Sequence, residues 1–123
     1  MAVFAQLLKG YREGSGLSQR ALARASQINP AIISRLESGD REPSGPEQVL
    51  AIARALGLDP ERTDALLSSA GHWPRAILEL GPSDESLLMV ARVLTGPHLE
   101  DAAKVRFRRI VSILAEQWLD SAR

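Results

Sequence analysis

The sequence predicts an all-α protein, and three observations support this prediction. Apolar residues recur at three- and four-residue spacing in successive segments, as with Phe4, Leu8 and Tyr11. Good helix caps precede many of these segments, and glycine or proline follows them. The composition is 45% hydrophobic but only 4% aromatic. These proportions are typical of short helices around an aliphatic core.

The first three helices have well-marked ends. Ser18 and Asn29 are predicted N-caps, Pro30 suits the first turn because its missing N–H costs nothing there, and Gly39 suits a C-terminal stop. An apolar residue before each cap is expected to pack on one inside the helix. These pairs are Leu17 with Leu22 and Ile28 with Ile33. The predicted helices cover residues 2–13, about 19–26 and 29–38.

Four further helical segments follow. Ser44 and Glu47 predict a capping box for a fourth helix through Leu56, and Asp59 before Pro60 predicts the start of a fifth. A short helical turn is expected in "RAILEL", at 75–80. Ser83 is predicted to cap the next helix, which runs through Leu94. The last and longest helix is predicted from about residue 98 to 120.

Composition and charge exclude several classes of protein. The chain has no cysteine, so it can form neither disulfides nor thiolate metal sites. It has no apolar run near the roughly 18 residues of a membrane span, and its N-terminus lacks signal-peptide features, so we expect a cytoplasmic protein without membrane association. Net charge is zero, but residues 1–45 hold six basic against four acidic side chains. This excess of two is a weak indication of a polyanionic partner near the N-terminus.

The run "LSQRALARASQINPAIISRLESGDREPSGPEQVLAIARALG" is similar to the helix-turn-helix domain of lambdoid repressors and Cro, a class that includes the xenobiotic-response-element-like bacterial regulators. The resemblance covers about residues 4–70. It rests on the joint order of "LSQRALA", Ile28 at the turn, "ISRLESG" and "LAIARALG". It implies a five-helix repressor-like DNA-binding domain, with the third helix in the major groove of double-stranded DNA.

The third helix has a face suited to that position. Ile33 and Leu36 are expected to point inward, which leaves a small, smooth opposite face with one long donor, Arg35. An arginine can bind guanine O6 and N7 with two hydrogen bonds, and small residues allow close approach to the bases. The predicted base-reading residues are Pro30, Ala31, Ser34 and Arg35.

Other roles are mainly implied by the resemblance. Gln19 matches a position that holds the DNA backbone in phage repressors, and Arg12 and Glu37 match a partly buried ion pair of the scaffold. The predicted backbone contacts are Gln19, Arg20, Asn29 and Arg41, with Lys9 a weaker candidate. Gln27 stands where the family usually has glycine. We expect it to adopt a left-handed conformation, at a cost of roughly 1–2 kcal/mol.

The C-terminal third is predicted to be a dimerisation region. The last helix has an apolar stripe too extensive for a loose tail, and two-fold symmetry usually accompanies this kind of DNA recognition. The predicted dimerisation residues are Phe107, Ile110, Val111, Leu114 and Trp118. The predicted domains are 1–71 for DNA binding, a junction at 72–82, and a helical dimerisation region at 83–123. Packing of the stripe onto the N-terminal domain remains an alternative.

We therefore expect a homodimeric transcriptional regulator, most simply a repressor of a palindromic operator. No nucleophile–base arrangement, paired catalytic carboxylates or phosphate cradle is apparent, so we expect no enzymatic activity. His72 and His98 have no matching carboxylate cluster, and we expect neither a metal nor another cofactor. Two alternatives remain. The chain could be an antitoxin that binds operator DNA and a toxin, or a protein-interaction module that keeps the fold without binding DNA.

Overall fold

The computed structural model describes residues 2–121, and within that range the chain forms eight α-helices and no strand. The helices are α1 (Ala2–Gly14), α2 (Gln19–Ser26), α3 (Pro30–Ser38), α4 (Pro46–Leu56), α5 (Pro60–Ser69), α6 (Arg75–Leu80), α7 (Glu85–Thr95) and α8 (Asp101–Ser121). The predicted all-α class is confirmed. The ends of the predicted domains, residues 1 and 122–123, lie outside the described range.

The first compact unit ends at Glu79 and contains a hydrophobic core that is aliphatic except for Phe4. The residues that form this core come from α1 to α5 and are Phe4, Leu8, Leu22, Ala23, Ile33, Leu36, Val49, Ile52, Leu56, Leu66 and Leu67. Leu7 and Leu50 are half-buried and pack against this core. Each fully buried large aliphatic side chain contributes about 1.5–3 kcal/mol to folding. This core therefore holds α3 firmly on its inner side.

Three of the predicted N-terminal caps are present in the structure. Asn29 Oδ1 accepts a hydrogen bond from the Ala31 N–H at 2.8 Å, and Asp59 Oδ1 accepts one from the Arg62 N–H at 2.8 Å. Ser18 Oγ likewise accepts from the Ala21 N–H at 3.0 Å. These side chains satisfy N–H groups that have no partner inside the helix.

Two predicted caps are wrong by one residue. Ser44 does not cap α4, because Pro46 takes the first helical position and the cap therefore falls on Gly45, which makes no side-chain cap bond. The Ser44 N–H instead donates to Gln48 Oε1 at 3.0 Å. Ser83 does not cap α7 either. Asp84 does so, with Oδ1 accepting from the Leu87 N–H at 2.9 Å.

The first unit extends past residue 71, where the sequence suggests that the DNA-binding domain ends. The Arg75 N–H donates to Asp64 Oδ1 at 2.9 Å, which fixes the start of α6 on α5. Leu78 packs against the core. The short helix predicted in "RAILEL" is thus present, and most of it belongs to the first unit.

The second unit begins at Leu80 and contains α7 and α8. No described residue of either helix is buried. The last helix begins at Asp101 rather than near residue 98. The carbonyl of Glu100, directly before this start, accepts the N–H groups of Ala103 and Lys104, as the residue before the first turn of a helix does. No helix among residues 2–121 combines the length and the apolar character that crossing a membrane requires.

Candidate nucleic-acid interface

The turn between α2 and α3 is tight because Gln27 is left-handed. Its φ is 58° and its ψ is 35°, as the sequence predicts for the place where related domains have glycine. The Gln27 N–H donates to the carbonyls of Ala23 and Arg24, and the Ile28 N–H returns to Ala23 O at 3.0 Å. Both carbonyls at the end of α2 are therefore satisfied, and the chain can enter α3 after only three residues.

One face of α3 is buried and the other is open. Ile33 and Leu36 have no solvent exposure, whereas Pro30, Ala31, Ser34 and Arg35 are all exposed. At 100° per residue these four side chains span about 140° of the helix surface. The structure therefore brings the four predicted base-reading residues together on one accessible face.

Arg35 is the only long side chain among those four. Its guanidinium forms no hydrogen bond or ion pair within residues 2–121. Its carbonyl, by contrast, accepts the N–H groups of Gly39, Asp40 and Arg41. Since the loop folds back onto the end of α3 in this way, exposed Arg41 is held close to the same helix.

A charged network fixes α1 and α2 to α3. Arg12 Nε lies 2.6 Å from Glu37 Oε2 and Arg12 Nη2 lies 2.9 Å from Glu37 Oε1, so the ion pair is bidentate. Arg12 Nη1 also donates to Leu17 O at 2.9 Å. The Glu37 side chain is only 3% exposed and the Arg12 side chain 13% exposed. The hydrogen bonds to Glu37 raise the pKa of Arg12 above its ordinary value, against the opposing effect of desolvation.

Gln19 belongs to the same network, a contact that the sequence does not predict. Gln19 Nε2 donates to Glu37 Oε1 at 3.2 Å, which leaves the amide group with a second N–H to offer. Gln19 is half-buried beside a shallow depression of about 200 Å³, lined by Lys9, Gln19, Ser34, Glu37 and Ser38. Glu37 therefore orients the predicted backbone-binding amide while it pairs with Arg12.

The remaining predicted backbone-binding residues are exposed around the same helices. Arg20 lies in the first turn of α2, and Asn29 is the cap of α3. Because Asn29 Oδ1 is occupied by the Ala31 N–H, only its NH₂ group remains available to a ligand. Within the described residues, no group of three or more histidine, aspartate or glutamate side chains is placed to hold a metal ion.

The predicted dimerisation residues lie on α8, in the second unit. Phe107 is half-buried, and Ile110, Val111, Leu114 and Trp118 are exposed. Trp118 is the most exposed of the large hydrophobic side chains on the helices, at 78% of its surface. Exposed apolar side chains that cluster on one helix are a feature of interaction surfaces.

A family profile described as a helix-turn-helix domain matches residues 3–66 of the chain. The match spans just over half of the 123 residues and includes all of α2, the turn at Gln27 and α3. The chain belongs to this helix-turn-helix family. Members of this family are DNA-binding helix-turn-helix proteins, and the α2–turn–α3 segment lies wholly within the matched residues. Searches of curated proteins and of solved structures found no match to the chain.

Proposed function

We propose that this helix-turn-helix protein is a sequence-specific transcriptional regulator that binds a palindromic operator as a homodimer. The α3 helices of the two copies enter successive major grooves, about 34 Å apart. The observation that carries the proposal is the exposed face of α3, where small side chains surround one guanidinium that has no partner among residues 2–121. The resemblance to lambdoid repressors and the xenobiotic-response-element-like regulators supports the same function.

In this proposal the contacts divide into two kinds. Arg35 reads a guanine, and Pro30, Ala31 and Ser34 permit the close approach that this contact needs. Gln19, Arg20, Asn29 and Arg41 bind phosphates and set the position of α3. Because Gln19 donates a hydrogen bond to Glu37 of α3, the proposed backbone contact is linked directly to the reading helix.

Repression is the simplest outcome of such binding. A dimer seated on an operator that overlaps a promoter blocks polymerase without any catalytic step or cofactor. Transcription from a promoter that carries the selected site, measured with and without the protein, tests this part of the proposal. A rise in transcript would show an activator instead.

Selection of bound sequences from a random DNA pool tests the DNA-binding function, and Arg35→Ala tests its mechanism. Loss of the bidentate contact should weaken binding to the selected site by about 1–3 kcal/mol and relax preference at one base pair in each half-site. Arg62→Ala, which removes an exposed arginine from α5, is the matched control and should change neither. An unchanged preference in Arg35→Ala would remove Arg35 from the base-reading role.

Gln19→Ala separates the two kinds of contact. Since Gln19 is proposed to bind phosphate, its loss should weaken binding to the selected and to unrelated sequences by a similar factor. The same titrations at several salt concentrations give the number of phosphates neutralised. A loss confined to the selected sequence would contradict the backbone role. Salt-independent affinity would favour a protein-interaction module instead.

The exposed apolar face of α8 also suits a protein partner, which keeps the antitoxin function as a second candidate. The mass of the complex isolated from its native cell distinguishes the two. Two identical chains support the regulator, whereas a stoichiometric small toxin supports the antitoxin.

A further inference from the structure

The apolar stripe of α8 has nearly the same pattern in both directions along the helix. Its members lie in pairs at equal distances from the point between Ile110 and Val111. These pairs are Ile110 with Val111, Phe107 with Leu114, and Ala103 with Trp118. At 100° per residue all six fall within about 100° of the helix surface, so they form one continuous face.

We propose that two copies pair through this face with their α8 helices antiparallel, crossing between Ile110 and Val111. The inference rests on the homodimer in the proposed function and adds its geometry. A two-fold axis at that point brings Phe107 of each copy against Leu114 of the other. Ile110, Leu114 and Trp118 are each more than half exposed and Phe107 is half-buried, so most of this face is accessible for these contacts.

Side-chain size favours the antiparallel arrangement over the parallel one. In the antiparallel pair each Trp118 indole meets the small Ala103 of the other copy. A parallel pair would place Trp118 against Trp118 at one end and Ala103 against Ala103 at the other. One end would then be overpacked and the other would leave a void, and both defects are destabilising.

The charges of α8 favour the same arrangement. Residues 101–110 carry four basic side chains and one acidic side chain, whereas residues 111–121 carry only the acidic Glu116 and Asp120. The halves therefore have net charges of +3 and −2. An antiparallel pair places each positive half beside a negative half and opposes the two helix dipoles, whereas a parallel pair places like charges together.

Distances between spin labels distinguish the two arrangements, and the absence of cysteine gives a clean background. Ala102→Cys and Asp120→Cys each place one label at an exposed position near an end of α8. In an antiparallel pair, copies of the same label are displaced along the helix axis by about 26 Å for residue 102 and about 28 Å for residue 120. Labels at 102 on one copy and at 120 on the other lie side by side.

Pulsed dipolar measurements on the full chain should therefore give long distances for each single variant. A mixture of the two should add a short one. A parallel pair gives the opposite result, with short distances in each single variant and an added long distance in the mixture. Short single-variant distances in a protein that is dimeric by mass would overturn the antiparallel pairing and leave the homodimer intact.

Mass measured by light scattering over a range of concentrations separates this inference from the function on which it rests. A protein that stays monomeric yet binds the selected operator would overturn both the pairing and the homodimer, but not DNA recognition. A dimer that shows no affinity for any selected sequence would overturn the regulator while the label distances still decide the pairing.

Discussion

Glu37 connects three helices through a single carboxylate. It accepts both arms of the Arg12 guanidinium and the amide of Gln19, so residues from α1, α2 and α3 meet at one almost fully buried group. Burial of a charge is tolerated because both partners satisfy it. The side chain that links α1 to α3 thus also holds the amide proposed to bind DNA.

Arg12→Met should therefore destabilise the first unit strongly. It retains most of the apolar length but leaves the Glu37 carboxylate buried without its cation, at a cost of about 3–5 kcal/mol. Urea unfolding measures the loss. Arg24→Met, which removes an exposed arginine from α2, is the control and should change the free energy of unfolding little. Equal losses in the two variants would show that the ion pair contributes nothing.

The effect of Arg12→Met should not depend on the titration of Arg12 near neutral pH. Its pKa is raised in the folded state. The stabilisation linked to its charge is therefore complete below the pKa of an unfolded arginine and is lost only as pH rises through the higher folded value. Comparison of the wild-type and variant unfolding curves between pH 6 and 8 checks this, and a difference that shrinks as pH rises would contradict it.

At the level of helices and turns, the left-handed Gln27 adds strain to the connection between α2 and α3. Gln27→Gly should raise the free energy of unfolding by about 1 kcal/mol, because glycine removes the left-handed cost but gains freedom in the unfolded chain. Gln6→Gly places the same substitution at an exposed position within α1, where it should lower stability by about 1 kcal/mol. A loss of stability in Gln27→Gly, like that in Gln6→Gly, would refute the strain.

The sequence predicts the helices well because most of their ends are set locally. A polar residue followed by proline identifies Asn29 and Asp59 as caps, since proline suits only the first helical turn. Pro46 likewise occupies the first turn of α4, which places the cap at Gly45 although glycine has no side chain to make the bond, so the preference for Ser44 was the error. At Ser83 and Asp84 two good caps are adjacent, and without a following proline the sequence does not separate them.

The candidate site is predicted only in part, because some of its contacts join distant positions. The exposure of Arg35 follows from helical periodicity once Ile33 and Leu36 are placed in the core. The Gln19–Glu37 hydrogen bond spans 18 residues and depends on how α2 crosses α3. No local pattern encodes that crossing, and only the assembled core sets it.

At the level of the whole molecule, operator binding is proposed to depend on the second unit. Leu114→Glu places a charge on the pairing face of α8 and should dissociate the dimer. Binding to a two-site operator should then weaken by a factor of about 10²–10⁴, because the second contact is no longer linked to the first. Sedimentation and fluorescence anisotropy measure the two effects.

Ser112→Glu is the matched control for Leu114→Glu. Ser112 is exposed and lies on the opposite side of α8 from the stripe, so the added charge stays in water. Mass and operator affinity should both remain unchanged. Loss of operator affinity in Leu114→Glu without any change in mass would show that α8 acts on DNA binding in some other way.

The proposed pairing face of α8, which ends at the exposed Trp118, affects how the concentration of the protein controls its promoter. If the binding species is the pair, its concentration at low abundance varies with the square of the monomer concentration. A twofold fall in synthesis would then reduce the binding species fourfold. A promoter controlled by the pair would respond to small changes in expression more sharply than one controlled by a monomer. Dilution of the protein as the cell grows would then be enough to free the promoter.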